Sequence, residues 1–63
     1  MKKYRCVLLD FSIKSDRNKI VFEKYAEGLK AARALYNIPI SYSYNCKCFI
    51  GWKGSKNYVV SEI

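Results

Sequence analysis

The chain contains no histidine. That one absence removes the commonest general base, the commonest neutral metal ligand and every Ser-His or Cys-His nucleophile arrangement. Acidic residues are scarce too, with 5 Asp and Glu against 12 Lys and Arg. Glu23 and Glu27 are the one pair spaced four apart, and they suit a solvated helix face better than acid/base machinery. No P-loop, G-x-G-x-x-G or G-x-S-x-G is present. Without a nucleophile, a base or a phosphate cradle, the chain is expected not to be an enzyme, and no catalytic residue or cofactor is assigned.

Long apolar runs are missing as well. No stretch approaches the roughly 18 apolar residues of a membrane span, and the run from Cys6 to Leu9 is too short for the apolar region of a signal peptide. The 3 cysteines are an odd number, and a reducing cytoplasm is the expected setting. Cys46-x-Cys48, with Cys6 and Asp10, could be imagined as a zinc site. Structural zinc sites usually place two to four residues between paired cysteines, and here there is only one, so no metal is expected. Strand neighbours two apart also point one way at a separation too large for an unstrained disulfide. Cys46 and Cys48 are therefore predicted to be small core residues.

What the chain does have is core material and positive charge. At 63 residues it forms one domain, residues 1-63, with a single core; 51% hydrophobic and 16% aromatic content exceed that of a disordered basic tail. A domain this small buries only about 60% of its unfolded surface, so a homodimer is a natural supplement. The net charge of +7 attracts polyanions and acidic protein surfaces.

Period-two alternation over residues 3–13 predicts a first strand. Val7, Leu9, Phe11 and Ile13 form its fully apolar face, and Tyr4, Cys6, Leu8 and Asp10 its half-apolar one. Ser15, Asp16 and Asn18 are plausible helix caps. Steps of three and four through Phe22, Tyr25, Ala26, Leu29, Ala32 and Tyr36 then predict a helix over residues 19–36, ended by Asn37 and Pro39. The β-branched Ile20 and Val21 permit an alternative in which residues 19–23 are a second strand and the helix covers residues 24–36.

Alternation from Ile40 to Trp52 predicts a hairpin with a three-residue loop at residues 45–47. This pairs Tyr44 with Cys48, Tyr42 with Ile50 and Ile40 with Trp52, and so puts Tyr42, Tyr44 and Trp52 under the helix. Gly54 and Ser55 mark a tight bend before a last strand, YVVSEI. The expected fold is α+β: βαβββ with a right-handed crossover, one helix packed on one face of a three- or four-stranded mixed sheet; the alternative is ββαββ.

One helix leaves the other sheet face open, and Tyr4, Leu8 and Phe49 are expected to line it as a partner interface. Tyr4, Phe49 and Tyr58 are its candidates for base stacking. Lys14, Arg17 and Lys19, with Lys53 and Lys56 beside the Gly-Ser bend, are the candidate phosphate contacts. No helix-turn-helix, KH loop, RNP1 motif or zinc finger accompanies them.

In size and in lysine and tyrosine usage the chain resembles the small accessory reading frames of phages and low-GC bacteria. That likeness covers the whole length, rests on no motif, and implies a short non-enzymatic binder directed at a host nucleic-acid machine. Two functions are thus expected from the sequence: nucleic-acid binding through phosphates with little sequence readout, or a protein-interaction module or phage-type inhibitor using the open sheet face, possible as a homodimer. The helix mixes its lysines with Glu23 and Glu27, which argues against a membrane surface.

Overall fold

Five strands and one short helix account for the regular structure in the computed structural model, which describes residues 2–12 and 20–63. The order is β1 (Lys3–Asp10), β2 (Ile20–Glu27), α1 (Leu29–Ala34), β3 (Ser41–Ser43), β4 (Cys48–Lys53) and β5 (Lys56–Glu62). The strands form one sheet in the order β2-β1-β5-β4-β3, and every pairing is antiparallel. The chain is thus a small, mostly β member of the α+β class. The expected mixed sheet and right-handed crossover are corrected, because no parallel pair exists among the described strands for a helix to bridge.

The helix expected over residues 19–36 is replaced in large part by β2. Its residues satisfy both periods: Phe22 and Ala26 are four apart, which is one face of a helix but also one face of a strand, with Lys24 between them. Ile20, Val21, Phe22 and Tyr25 favour the pleated form, and antiparallel pairing with β1 from Lys3↔Glu27 to Leu8↔Phe22 supplies it with backbone partners. The ββαββ alternative came nearer, but it was one strand short and its helix too long. Gly28, at φ 85, turns the chain from β2 into α1, a geometry that only glycine adopts freely. The caps expected at Ser15, Asp16 and Asn18 lie outside the described residues, and the helix begins at Leu29 instead.

The core lies between α1 and one face of the sheet. Tyr4, Cys6 and Leu8 from β1, Tyr58 and Val60 from β5, Ala32 from α1 and Ile38 after it form a single buried cluster. Phe22, Ala26, Leu29, Tyr36, Ile40 and Phe49 pack around it. Cross-strand register explains the set, since Leu8 pairs with Tyr58 and Cys6 with Val60. The Tyr58 ring contacts Phe22 and Tyr36 at centroid distances of 6.2 and 6.1 Å, and its hydroxyl donates to the Ala32 carbonyl. Burial pushes the Tyr58 phenol pKa upward, and its interaction with Cys6 adds to that shift.

This core inverts the predicted faces of β1. Tyr4, Cys6 and Leu8 are covered by the helix, whereas Val7 and Leu9 are only half-buried on the opposite face and Phe11 is exposed. Ile13, also expected on the apolar face, lies outside the described residues. β1 has large apolar residues on both sides. The partner strand decides which side packs: Cys6 and Leu8 pair with Val60 and Tyr58, whose hydroxyl donates to a helix carbonyl.

One end of the sheet is pinned by Asp10. Its carboxylate accepts from the Ser12 backbone N–H (3.0 Å), the Ser12 hydroxyl (2.7 Å) and the Ser55 hydroxyl (3.0 Å), while Phe11 N–H donates to the Ser55 carbonyl. The Ser12 hydroxyl hydrogen bond, first among these, holds the Asp10 pKa below its ordinary value. A depressed folded-state value means that this carboxylate's contribution to stability is present above the unfolded pKa and is lost as pH falls through the folded one. Asp10→Asn is therefore expected to flatten the acid limb of stability. Between pH 7 and about pH 3, below the ordinary carboxylate value, its urea midpoint should fall less than that of the parent chain. An equal fall would show that the Asp10 bonds carry none of the acid dependence.

Candidate nucleic-acid interface

The β3–β4 connection sets the character of the open face. It is a turn over residues 44–47, one residue longer than expected, and the register becomes Ser41↔Ile50, Tyr42↔Phe49 and Ser43↔Cys48. A one-residue change in register moves side chains to the opposite face. The prediction that Tyr42, Tyr44 and Trp52 lie under the helix is corrected: they are 45%, 86% and 57% exposed, with Tyr42 on the helix side of the sheet but at its β3 edge and Trp52 on the opposite side. Tyr42 and Tyr44 meet edge-on at 5.0 Å, and Tyr42 also abuts Phe49 at 5.2 Å, at the β3 edge of the sheet.

Trp52 takes the other face. In the ladder Leu9 pairs with Asn57 and Asn57 with Trp52, so these three share the side away from α1. Trp52 packs against Phe11 with ring centroids 5.3 Å apart. Asn57, buried between the strands, donates its amide to the Gly51 carbonyl at 3.0 Å. Val7, Val59 and Ile50 form the next row of the same face, in register and half-buried. Tyr25 lies on this side of β2 and donates to Glu23, whose carboxylate also pairs with Arg5 at 3.0 Å. The Arg5 hydrogen bond depresses the Glu23 pKa and raises that of Arg5. No described element packs on this face.

The residues predicted to interact separate into three groups. Tyr4 and Leu8, expected at a partner interface, are in the core, as is the stacking candidate Tyr58. Phe49 is half-buried, beside Tyr42 and with the Arg33 guanidinium 6.0 Å above its ring. Lys14, Arg17 and Lys19 lie outside the described residues. Lys53 and Lys56 are paired in register across the Gly54-Ser55 bend, with Gly54 at φ 61. Lys53 is exposed and adjoins Trp52 in sequence. Lys56 is engaged: its ammonium donates to the Tyr36 hydroxyl at 3.1 Å, which raises its pKa.

Ion pairing leaves much of the positive charge unmatched. Among the described residues the ion pairs are Arg5 with Glu23 and Lys2 with Glu62. Lys3, Lys24, Lys30, Arg33, Lys47 and Lys53 have no carboxylate of another described residue within ion-pair distance. Also among the described residues, no three Cys, Asp or Glu side chains gather where they could hold a metal ion, and no helix is long and apolar enough to cross a membrane.

The chain matches no family model, no curated protein and no solved structure. Function is therefore argued from the open face itself. Sequence reasoning put Trp52 under the helix and did not single out its contact with Phe11. The available signal was Phe11 alternating with Leu9 and Val7 on the strand face that turned out to be uncovered.

Proposed function

We propose that this protein binds single-stranded nucleic acid on the open sheet face, gripping phosphates with lysines and stacking bases on aromatic rings, with little sequence readout. The observation that carries this reading is the exposed Trp52, seated on Phe11 on a sheet face that no described element covers; Lys53, next in sequence, lies at the end of the same strand and projects from its other side. Flat aromatic platforms beside cations suit single strands, because every base offers a π-face and every linkage a phosphate. The net charge of +7 supplies the long-range attraction. Lys53 is the available cation at the β4–β5 bend; Lys14, Arg17 and Lys19 follow β1 in sequence and belong to the same proposal.

Anisotropy of a labelled oligothymidylate measures the claim. Loss of a base-stacking ring costs about 1–3 kcal/mol, so Trp52→Ala should weaken binding by roughly five- to 150-fold. Lys53→Ala should weaken it less and lower the salt slope by about one phosphate contact. Binding unchanged in Trp52→Ala would remove the stacking face from the account.

A second reading rests on the row Val7–Val59–Ile50, apolar and in register at the middle of the same face. It suits a protein partner or a second copy of the chain, which would cover that row. Solution mass rising to twice that of the monomer with concentration, and falling back in Ile50→Lys, is the expected result for the homodimer form.

A further inference from the structure

Cys46 and Cys48 are predicted from their spacing to be core neighbours too far apart to bond, and the structure places them otherwise. Cys46 is exposed in the β3–β4 turn, and Cys48 is buried at the start of β4. Lys47 between them has φ 54, the only positive φ at a non-glycine residue among those described. That left-handed residue folds the chain so that Cys46 doubles back over Cys48. The Cys48 thiol points at the Cys46 sulfur at 3.0 Å, so closing to a disulfide bond of about 2.0 Å needs only a small movement of the turn.

The two thiols are also unlike each other. Hydrogen bonding from Cys48 and then Ser43 lowers the Cys46 pKa, so the exposed sulfur is the more readily ionised one. Burial first, then Cys46, pushes the Cys48 pKa up to about 11, which keeps it protonated and shielded. Cys6 is fully buried in the core and does not take part.

We infer that Cys46 and Cys48 form a redox-active dithiol that reduces low-molecular-weight disulfides, with Cys46 as the attacking sulfur and Cys48 as the resolving one. The Cys46 thiolate attacks one sulfur of a disulfide RSSR, forming a Cys46–SR mixed disulfide and expelling RS⁻. Cys48 then loses its proton to that thiolate and attacks the Cys46 sulfur. The Cys46–Cys48 bond forms and the second RS⁻ leaves, to be protonated by solvent. The protein is oxidised by two electrons and loses two hydrogens; RSSR is reduced to two thiols. Thiolate character, access and a neighbouring resolving sulfur are what this exchange requires. In a reducing compartment such bonds are transient and serve catalysis or sensing. Closure would staple the β3–β4 turn.

The test uses the full chain and glutathione disulfide, read by intact mass and non-reducing peptide mapping. The parent chain and Cys6→Ser should each lose two hydrogens, with the bond mapped to Cys46 and Cys48 and no glutathione retained. Cys48→Ser, and Cys48→Ala as a second replacement at that buried position, should stop at one glutathionyl group on Cys46. Cys46→Ser should stay unmodified. A parent chain that retains glutathione on Cys46, links two copies through it, or remains fully reduced while a free dithiol is oxidised in the same solution would overturn the inference.

Discussion

Leu8→Ala is expected to remove most of the protein's stability at room temperature. Leu8 is almost fully buried and faces Tyr58 across the β1–β5 ladder. Removing a buried leucine costs about 2–5 kcal/mol, as lost transfer energy and as a cavity that neighbours fill only in part. A domain of this size has about 3–5 kcal/mol in all. Val7→Ala is the internal control. Val7 is the preceding residue but lies on the half-buried open face, and its replacement should cost about 1 kcal/mol or less, since much of its side chain already meets water. Circular dichroism with urea titration separates the two. If Val7→Ala were the more damaging, the faces of β1 would be the ones its alternation first suggested, with Val7 and Leu9 beneath the helix.

Gly51→Ala is the second large effect. Gly51 sits in β4 opposite Tyr58, on the helix side of the sheet, where the segment after α1 crosses close to the strand. A methyl group there would collide with the Pro39 carbonyl oxygen, with Ile38 Cγ2 only 2.9 Å away. The first of these is backbone, and Ile38 is itself a core residue, so neither yields cheaply. Relief requires residues 38–39 to lift off the sheet, at about 1–3 kcal/mol for an overpacked core position. Gly54→Ala makes an instructive contrast: no atom lies within 4 Å of the added carbon, but φ is 61. Its cost is conformational, about 1–2 kcal/mol, and it should leave the packing of Ile38 and Pro39 unaltered. Thermal melts give the sizes, and amide exchange at Ile38 distinguishes a lifted segment from a strained turn.

These two sites also show what could be read from the residues alone. The Gly54-Ser55 bend, the strand that follows it and the strand before Asp10 all announce themselves through local chemistry, and all are present. The long helix did not survive, because Phe22 and Ala26 serve a strand as well as a helix and only pairing with β1 decides between them. The open face was assigned to the wrong side of β1 for a related reason. Tyr4-Cys6-Leu8 and Val7-Leu9-Phe11 are both apolar, and the choice is made by Tyr58 and Val60, some fifty residues away in the sequence, as long-range contacts override local pattern. Turn length did the rest. One extra residue between β3 and β4 puts Tyr42 and Trp52 on opposite faces of the sheet and brings Cys46 onto Cys48. Of the candidate site, Lys53 and Lys56 are where their bend was expected, whereas the aromatic platform was legible only once strand order was known.

The chain's single tryptophan is the proposed stacking residue, so its own fluorescence reports on the central claim without a label. Emission from Trp52 should be quenched as unlabelled oligothymidylate is added at low salt, saturate, and recover when salt is raised, because phosphate contacts release counterions on binding. Emission that stays constant through the titration, while the strand is shown by sedimentation to be bound, would contradict stacking on the open sheet face.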